Sequence, residues 1–148
     1  MLKDHLKEIY IRDLTKLRTE IESYSNESNI WAISKDILNS GGNLCLHING
    51  NLKHFIGTVL GKSGYVRDRD SEFSLKNIPR NELLKSTDGT INIVTKTIES
   101  LPDEMLTKDY PVEFINKTVT IEYLLIHLAV HLNYHLGQIN YHRRLHDK

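Results

Sequence analysis

Apolar residues recur at intervals of three and four positions in four separate segments of this 148-residue chain. That spacing lines one face of an α-helix, whereas a strand would show an alternation of two. Glycine, proline or small polar residues separate the segments. Four helices of about 20 residues, joined by one or two long connections, are typical of a four-helix bundle. The sequence therefore predicts an all-α four-helix bundle that occupies residues 1–148 as one domain.

The four helices are predicted at approximately residues 2–24, 43–60, 80–100 and 120–145. The second starts just after Gly41-Gly42, and Pro79 suits the first position of the third. Asp88-Gly89 weakens the middle of the third helix and favours a kink there. Thr120 has a suitable side chain for the N-cap of the fourth helix.

Two long connections interrupt this pattern. Residues 65–79 are polar and rich in charge, and we interpret them as an ordered excursion between the second and third helices. Residues 107–120 mix polar turns with β-prone pieces and predict a short hairpin or extended crossover before the last helix. Asp68, Asp70 and Glu72 in the first connection have two interpretations: a solvated loop, which we favour, or a base placed over a functional site.

Composition narrows the classes of function. Nineteen Lys and Arg residues balance 19 Asp and Glu residues, and a formal net charge of zero argues against nonspecific binding to nucleic acid. No apolar run approaches the length of a membrane span, and the N-terminus lacks the apolar core of a signal peptide. The single cysteine, Cys45, cannot form an internal disulfide and is interpreted as a core residue. We therefore expect a cytoplasmic protein without nucleic-acid or membrane partners.

The distribution of histidine is the most unusual feature of the sequence. Five of the eight histidines fall within the last 22 residues, at positions 127, 131, 135, 142 and 146. On a helix, side chains four residues apart are about 5–6 Å apart at Cβ, so two imidazoles can bind one ion at about 2.0–2.1 Å. His127 and His135 are two turns apart, roughly 12 Å along the axis, so all three cannot share an ion. A metal site would need one pair from this helix and a third ligand from another element.

The apolar face of the fourth helix indicates which pair points inward. At about 100° per residue, His135 lies closest to the centre of that face, His131 lies next, and His127 lies at its far edge. The predicted pair is therefore His131 and His135, and His127 is a neighbour of the site or a surface residue. The alternative is that these histidines bind nothing, since an isolated H-x-x-x-H is commonly two unrelated surface residues. A histidine inside a core, however, needs a polar partner, and one metal ion would serve several.

The third ligand is expected from the second helix, which faces the same interior. His47 lies between the apolar residues Leu44 and Ile48, whereas His54 lies near the helix end, so His47 is the preferred candidate. Three neutral imidazoles with open coordination positions are typical of a catalytic metal site rather than a closed structural one.

Two blocks of the sequence resemble the DinB-like (YfiT-like) superfamily of metal-dependent helical bundles. The block HLAVHLNYHLGQINYHRR, residues 127–144, resembles the last helix of that superfamily, in which H-x-x-x-H precedes a basic or apolar residue and Gly-Gln. The block GGNLCLHINGNLKHFIG, residues 41–57, resembles its second helix and aligns His47 with the first ligand. Trp31, about 16 residues upstream, also fits. Leu136 stands where many relatives have arginine, so any role of that arginine does not carry over.

The resemblance implies an up-down-down-up bundle, a nickel- or zinc-type site formed by His47, His131 and His135, and frequently a homodimer. Characterised relatives include enzymes that add a low-molecular-weight thiol to an electrophile or use such a thiol as a cofactor. The resemblance therefore also implies a metal-dependent thiol transferase, with a small-molecule substrate or thiol as partner. A metal-dependent hydrolase and a non-catalytic metal- or ligand-binding module of a stress response remain alternatives.

Three further residues are candidates for a supporting role around the metal. Asn51 follows His47 by one turn, and it would either contact a ligand or pack between helices. Gln138 would either orient His135 or pack, and His127 lies at the edge of the site. The sequence shows no Ser-His-Asp order, no phosphate-binding loop and no paired carboxylates on a helix face. No catalytic residue is therefore assigned.

Overall fold

The computed structural model describes all 148 residues, from Met1 to Lys148. Helices hold 68% of the residues and there is no β-strand, so the all-α prediction is confirmed. The α-helices are α1 (Leu2–Glu22), α2 (Gly41–Leu52), α3 (Arg69–Ser74), α4 (Arg80–Ser100) and α5 (Ile121–His146). α2 continues directly into a π-helical segment, Lys53–Thr58, and short 3-10 turns cover Glu27–Trp31 and Asp103–Met105. None of the helices combines the length and the apolar character that crossing a membrane requires.

The N-terminal caps explain where two of the long helices begin. Thr120 accepts a hydrogen bond from the backbone N–H of Tyr123 at 3.2 Å, as predicted for the start of α5. Ser40 accepts one from the backbone N–H of Asn43 at 3.1 Å. α2 therefore begins at Gly41 rather than after the glycine pair, because the cap precedes both glycines.

α1 packs against α4 with the opposite chain direction. Lys3 Nζ donates to the backbone oxygen of Leu101 at 2.8 Å near one end, and Arg18 Nε donates to Asp88 Oδ1 at 2.8 Å near the other. Gly89, where the sequence favours a kink, lies inside α4, which is one continuous α-helix from Arg80 to Ser100.

α1 packs against α5 with the same chain direction. The hydroxyl of Tyr10 donates to the backbone oxygen of Leu125 at 2.6 Å, and Arg143 Nε donates to Glu20 Oε2 at 2.8 Å. A cluster of 29 buried apolar residues fills the space between the long helices. Removal of this surface from water is the main favourable contribution to the free energy of folding.

A buried polar network joins α2 to α4. Asn49 Nδ2 donates to Thr87 Oγ1 at 3.1 Å, and Thr90 Oγ1 donates to Asn49 Oδ1 at 2.6 Å. Cys45 lies next to Thr87 with 0% exposure, and burial raises the pKa of its thiol to about 12. The interpretation of Cys45 as a core residue is therefore confirmed.

The first long connection contains a short helix, α3, that the sequence did not predict. Asp68 Oδ1 caps it by accepting the backbone N–H of Ser71 at 3.3 Å. Asn43 on α2 donates through Nδ2 to the backbone oxygens of Glu72 and Leu75, both at 2.9 Å. Six residues are too few for a helix that is stable alone, so these contacts with α2 hold α3 in place.

The second long connection is the extended crossover that the sequence predicted, without regular strands. Isolated antiparallel bridges join Asp109 to Thr120 and Phe114 to Lys117. The two residues inside the second bridge have positive φ angles, as tight two-residue hairpin turns require.

Candidate metal centre

Three histidines from two helices meet at one point. His47 belongs to α2, and His131 and His135 belong to α5. The Nε2 atom of His131 lies 3.2 Å from Nε2 of His47 and 3.1 Å from Nε2 of His135. One ring nitrogen from each of the three lies within 4.8 Å of the other two. The structure thus brings together the three histidines that the sequence singled out.

The donor set fits a metal ion. Two nitrogens at about 2.0–2.1 Å from a tetrahedral ion are separated by roughly 3.3 Å, close to the 3.1 and 3.2 Å found here. Unprotonated imidazole nitrogens repel each other at such distances, and a single proton could bridge only one pair of the three. A cation at the meeting point would satisfy all three lone pairs.

His47 is held from behind by a carboxylate. Its Nδ1 atom lies 3.1 Å from Oε1 of Glu72, and the imidazole is 7% exposed. Arg67 Nη2 also lies 3.5 Å from Nδ1, but the carboxylate oxygen is nearer. An ionised carboxylate only accepts hydrogen bonds, so Nδ1 carries the proton and Nε2 presents a lone pair to the other two histidines. This tautomer is the one that metal binding through Nε2 requires.

His135 is held in a similar way by an amide. Its Nδ1 atom donates to Oε1 of Gln138 at 2.7 Å, which leaves Nε2 free on the side of His131. The sequence left two roles open for Gln138, orienting His135 or packing, and the structure contains the hydrogen bond that the first role requires. Leu136 between them is buried in the apolar core, which is a suitable place for leucine but not for an unpaired arginine.

The electrostatics of the cluster favour neutral rings at His131 and His135. Burial, together with smaller effects of the neighbouring His135 and His47, lowers the pKa of His131 to about 4. Burial also lowers the pKa of His135, against an opposing effect of the hydrogen bond to Gln138. Both rings are therefore unprotonated near pH 7, which is the state that binds metal.

We interpreted Asp68, Asp70 and Glu72 as part of a solvated loop, and for Glu72 this interpretation is wrong. Its side chain is buried, and Arg67 donates to it from Nε and Nη2, both at 2.9 Å. Burial raises the pKa of Glu72, but hydrogen bonds from His47 and Arg67 outweigh this effect and lower it. Asp68 and Asp70 are exposed, as expected for a loop. An N-cap at Asp68 is the sequence signal that could have placed Glu72 one turn into a helix, and we missed it.

The remaining predicted residues lie outside the three-histidine cluster. Asn51 is 7% exposed, and its Oδ1 atom has no hydrogen-bond donor. His127 is half-buried and packs against Phe114, with 5.0 Å between ring centroids. His54 lies in the π-helical segment and packs against the ring of Phe55 at 4.9 Å.

Another histidine of α5 has a structural environment that the sequence did not reveal. His142 is buried, its Nδ1 atom lies 2.6 Å from the hydroxyl of Tyr24, and its Nε2 atom lies 2.8 Å from the backbone oxygen of Ala32. Because a backbone oxygen only accepts, Nε2 donates to Ala32 and the hydroxyl of Tyr24 donates to Nδ1. The ring of His146 stacks on it at 4.4 Å. The cluster of histidines in the sequence thus serves two separate sites.

The fold and the site define an all-helical protein with three histidines positioned to bind a metal ion. The family model described as a protein of unknown function, DUF1572, matches residues 3–148. The chain therefore belongs to the DUF1572 family. A search of curated proteins gives no match.

Proposed function

We propose that this protein binds one divalent metal ion through the Nε2 atoms of His47, His131 and His135. The observation that carries the proposal is the convergence of three imidazole nitrogens, two of them on rings whose Nδ1 atoms contact acceptors behind them. A set of nitrogen ligands favours zinc or nickel over calcium or magnesium. Such an ion, when bound, lowers the pKa of a coordinated water or thiol.

Three residues are proposed to support the site. Gln138 orients the His135 ring through its hydrogen bond to Nδ1. Asn51 follows His47 by one turn, and its buried Oδ1 atom lacks a donor, which costs about 1–3 kcal/mol unless a ligand or water supplies one. We propose that Asn51 is one of the residues that support the metal ligands, and that His127 lies at the edge of the site.

We also propose that the chain is a single-domain, DinB-like four-helix bundle. The chain directions support this assignment, because α4 runs opposite to α1 and α5 runs with α1. Cys45 of α2 contacts Thr87 of α4, and Asn49, one turn later, contacts Thr90, so α2 and α4 run in the same direction. The order is then up, down, down, up for α1, α2, α4 and α5. The short α3 is an addition between the second and third long helices.

The proposed activity is metal-dependent transfer of a low-molecular-weight thiol to a small electrophile. Three protein ligands leave coordination positions open, which is typical of catalytic rather than structural zinc sites. His131 and His135 are only partly buried, so a small molecule can reach the cluster from the surface. The resemblance of both histidine blocks to the DinB-like superfamily supports thiol transfer in particular.

A homodimer is proposed through the outer face of α5. Ile126, Val130 and Tyr134 are exposed on this helix at intervals of four residues and form one apolar stripe. A second copy of the chain would cover this stripe. Light scattering with size-exclusion chromatography tests this, and a monomer at all concentrations would contradict it.

Elemental analysis of protein purified without a polyhistidine tag tests metal binding. We expect one equivalent of a divalent transition metal in the wild type and none in His131→Ala. His146→Ala is the matched control, because it removes a histidine of the same helix outside the cluster, and it should retain the metal. A wild-type protein that takes up no metal even after reconstitution would refute the proposal.

A conjugation screen tests the activity. The metal-loaded protein is incubated with several thiols and electrophiles, and adduct formation is compared with that of His131→Ala. Metal-dependent adduct formation supports a thiol transferase. Hydrolysis of an ester or amide instead would assign a hydrolase, and metal binding without turnover would assign a binding protein.

A further inference from the structure

The short helix α3 brings one buried carboxylate to the rear of the metal centre. We propose that Glu72, held by Arg67, is a positioning residue that fixes the tautomer and the orientation of the His47 ring. This inference rests on the proposed metal binding by His47. Glu72 acts through His47 and does not itself contact the ion, because it bonds the ring nitrogen on the side away from His131.

The first support is the pairing of two buried groups. Glu72 is 4% exposed and His47 is 7% exposed, and their Oε1 and Nδ1 atoms lie 3.1 Å apart. With little water to compete, this hydrogen bond decides which ring nitrogen carries the proton. Phe73, the next residue of α3, packs against the same imidazole at 5.0 Å between centroids and limits its rotation.

The second support is a glycine on α2. A Cβ atom at Gly50 would lie 2.6 Å from Cδ of Glu72 and closer still to Oε2. Glycine inside a helix is unfavourable by about 0.5–1 kcal/mol relative to alanine. Its presence here leaves the space through which the carboxylate crosses the surface of α2 to reach His47.

The third support is the way in which Arg67 and Asn43 fix the carboxylate. Arg67 binds both oxygens of Glu72 in a bidentate pair, which sets the plane of the carboxylate. Asn43 holds the backbone oxygen of the same residue against α2. Both the side chain and the backbone of Glu72 are thus anchored independently of any metal.

The test combines the affinity for metal with the tautomer of the His47 ring. In Glu72→Gln, we expect the dissociation constant for Zn²⁺, measured by competition with a chromophoric chelator, to rise about 10–100-fold. The visible absorption spectrum of the Co²⁺-loaded protein should also shift, because the orientation of one ligand changes. Asp70→Asn is the matched control, since it neutralises an exposed carboxylate of the same helix and should leave both readouts unchanged.

A second readout does not depend on metal. Nitrogen NMR of the metal-free protein should show the His47 proton on Nδ1 in the wild type and a mixture of tautomers in Glu72→Gln. If that variant fails to fold, Gly50→Ala displaces the carboxylate without removing it and should give the same changes. Wild-type affinity, spectrum and tautomer in the substituted protein would overturn the inference. Failure of the wild type to bind any metal would instead refute the proposed function, while the tautomer would still decide the role of Glu72.

Discussion

The Nε2 atoms of His47 and His131 lie 3.2 Å apart, although 84 residues separate the two histidines in the chain. Glu72 holds the proton of His47 on the opposite nitrogen, so a lone pair of His47 faces the ring of His131. Each ring is therefore required for the proposed metal site, and each can be tested alone.

Metal should stabilise the folded protein only when the cluster is intact. An ion that binds the folded state alone adds about 2.7 kcal/mol at a concentration 100 times its dissociation constant. Thermal unfolding should therefore shift upward with Zn²⁺ or Ni²⁺ in the wild type and not in His47→Ala. His54→Ala, which removes a histidine of the adjoining π-helical segment outside the cluster, should keep the shift. An equal shift in His47→Ala would show that the ion binds elsewhere.

Acid should destabilise the metal-free protein. The pKa of His131 is lowered from 6.5 to about 4 in the folded state, so the unfolded chain takes up its proton first as the pH falls. The free energy of unfolding should decline as the pH falls from about 6.5 to 4. Below pH 4, His131 should cause no further decline. Denaturant unfolding at a series of pH values, in the presence of a chelator, measures this decline in the free energy of unfolding. His131→Gln should show a shallower decline, and an equal slope in both proteins would contradict the assignment.

The hydroxyl of Tyr24 should be important for stability but not for metal binding. Tyr24→Phe leaves the buried Nδ1 atom of His142 without its donor, at a cost of about 1–3 kcal/mol. Urea unfolding measures the cost, and the affinity for Zn²⁺ should be unchanged. Tyr141→Phe is the control, because that residue is 63% exposed on α5. A Tyr24→Phe protein as stable as the wild type would show that the hydrogen bond contributes nothing net.

Cys45 should be unreactive in the folded protein. Its side chain is 0% exposed and burial raises its pKa to about 12, so thiolate is scarce near pH 8. A chromogenic disulfide reagent should label it only after denaturant is added, and the signal is unambiguous because this is the single cysteine of the chain. Rapid labelling without denaturant would mean that the contact of α2 with α4 opens readily.

The sequence alone determined the features that depend on neighbours along the chain. The four-residue spacing of His131 and His135 places both imidazoles on one face of a helix whatever the rest of the fold does. The cap at Thr120 is equally local, since its side chain bonds a backbone N–H three residues later. The choice of His47 over His54 also followed from position within an apolar face.

Tertiary structure alone decided which acidic side chain of the first long connection, residues 65–79, points inward. Asp68, Asp70 and Glu72 have the same charge and similar neighbours in sequence, and only Glu72 is buried. Its inward direction depends on the bonds from Asn43 and on the space above Gly50, both on a different helix. Periodicity describes a helix that folds against any apolar core, whereas the environment of a single side chain depends on residues far away in the chain.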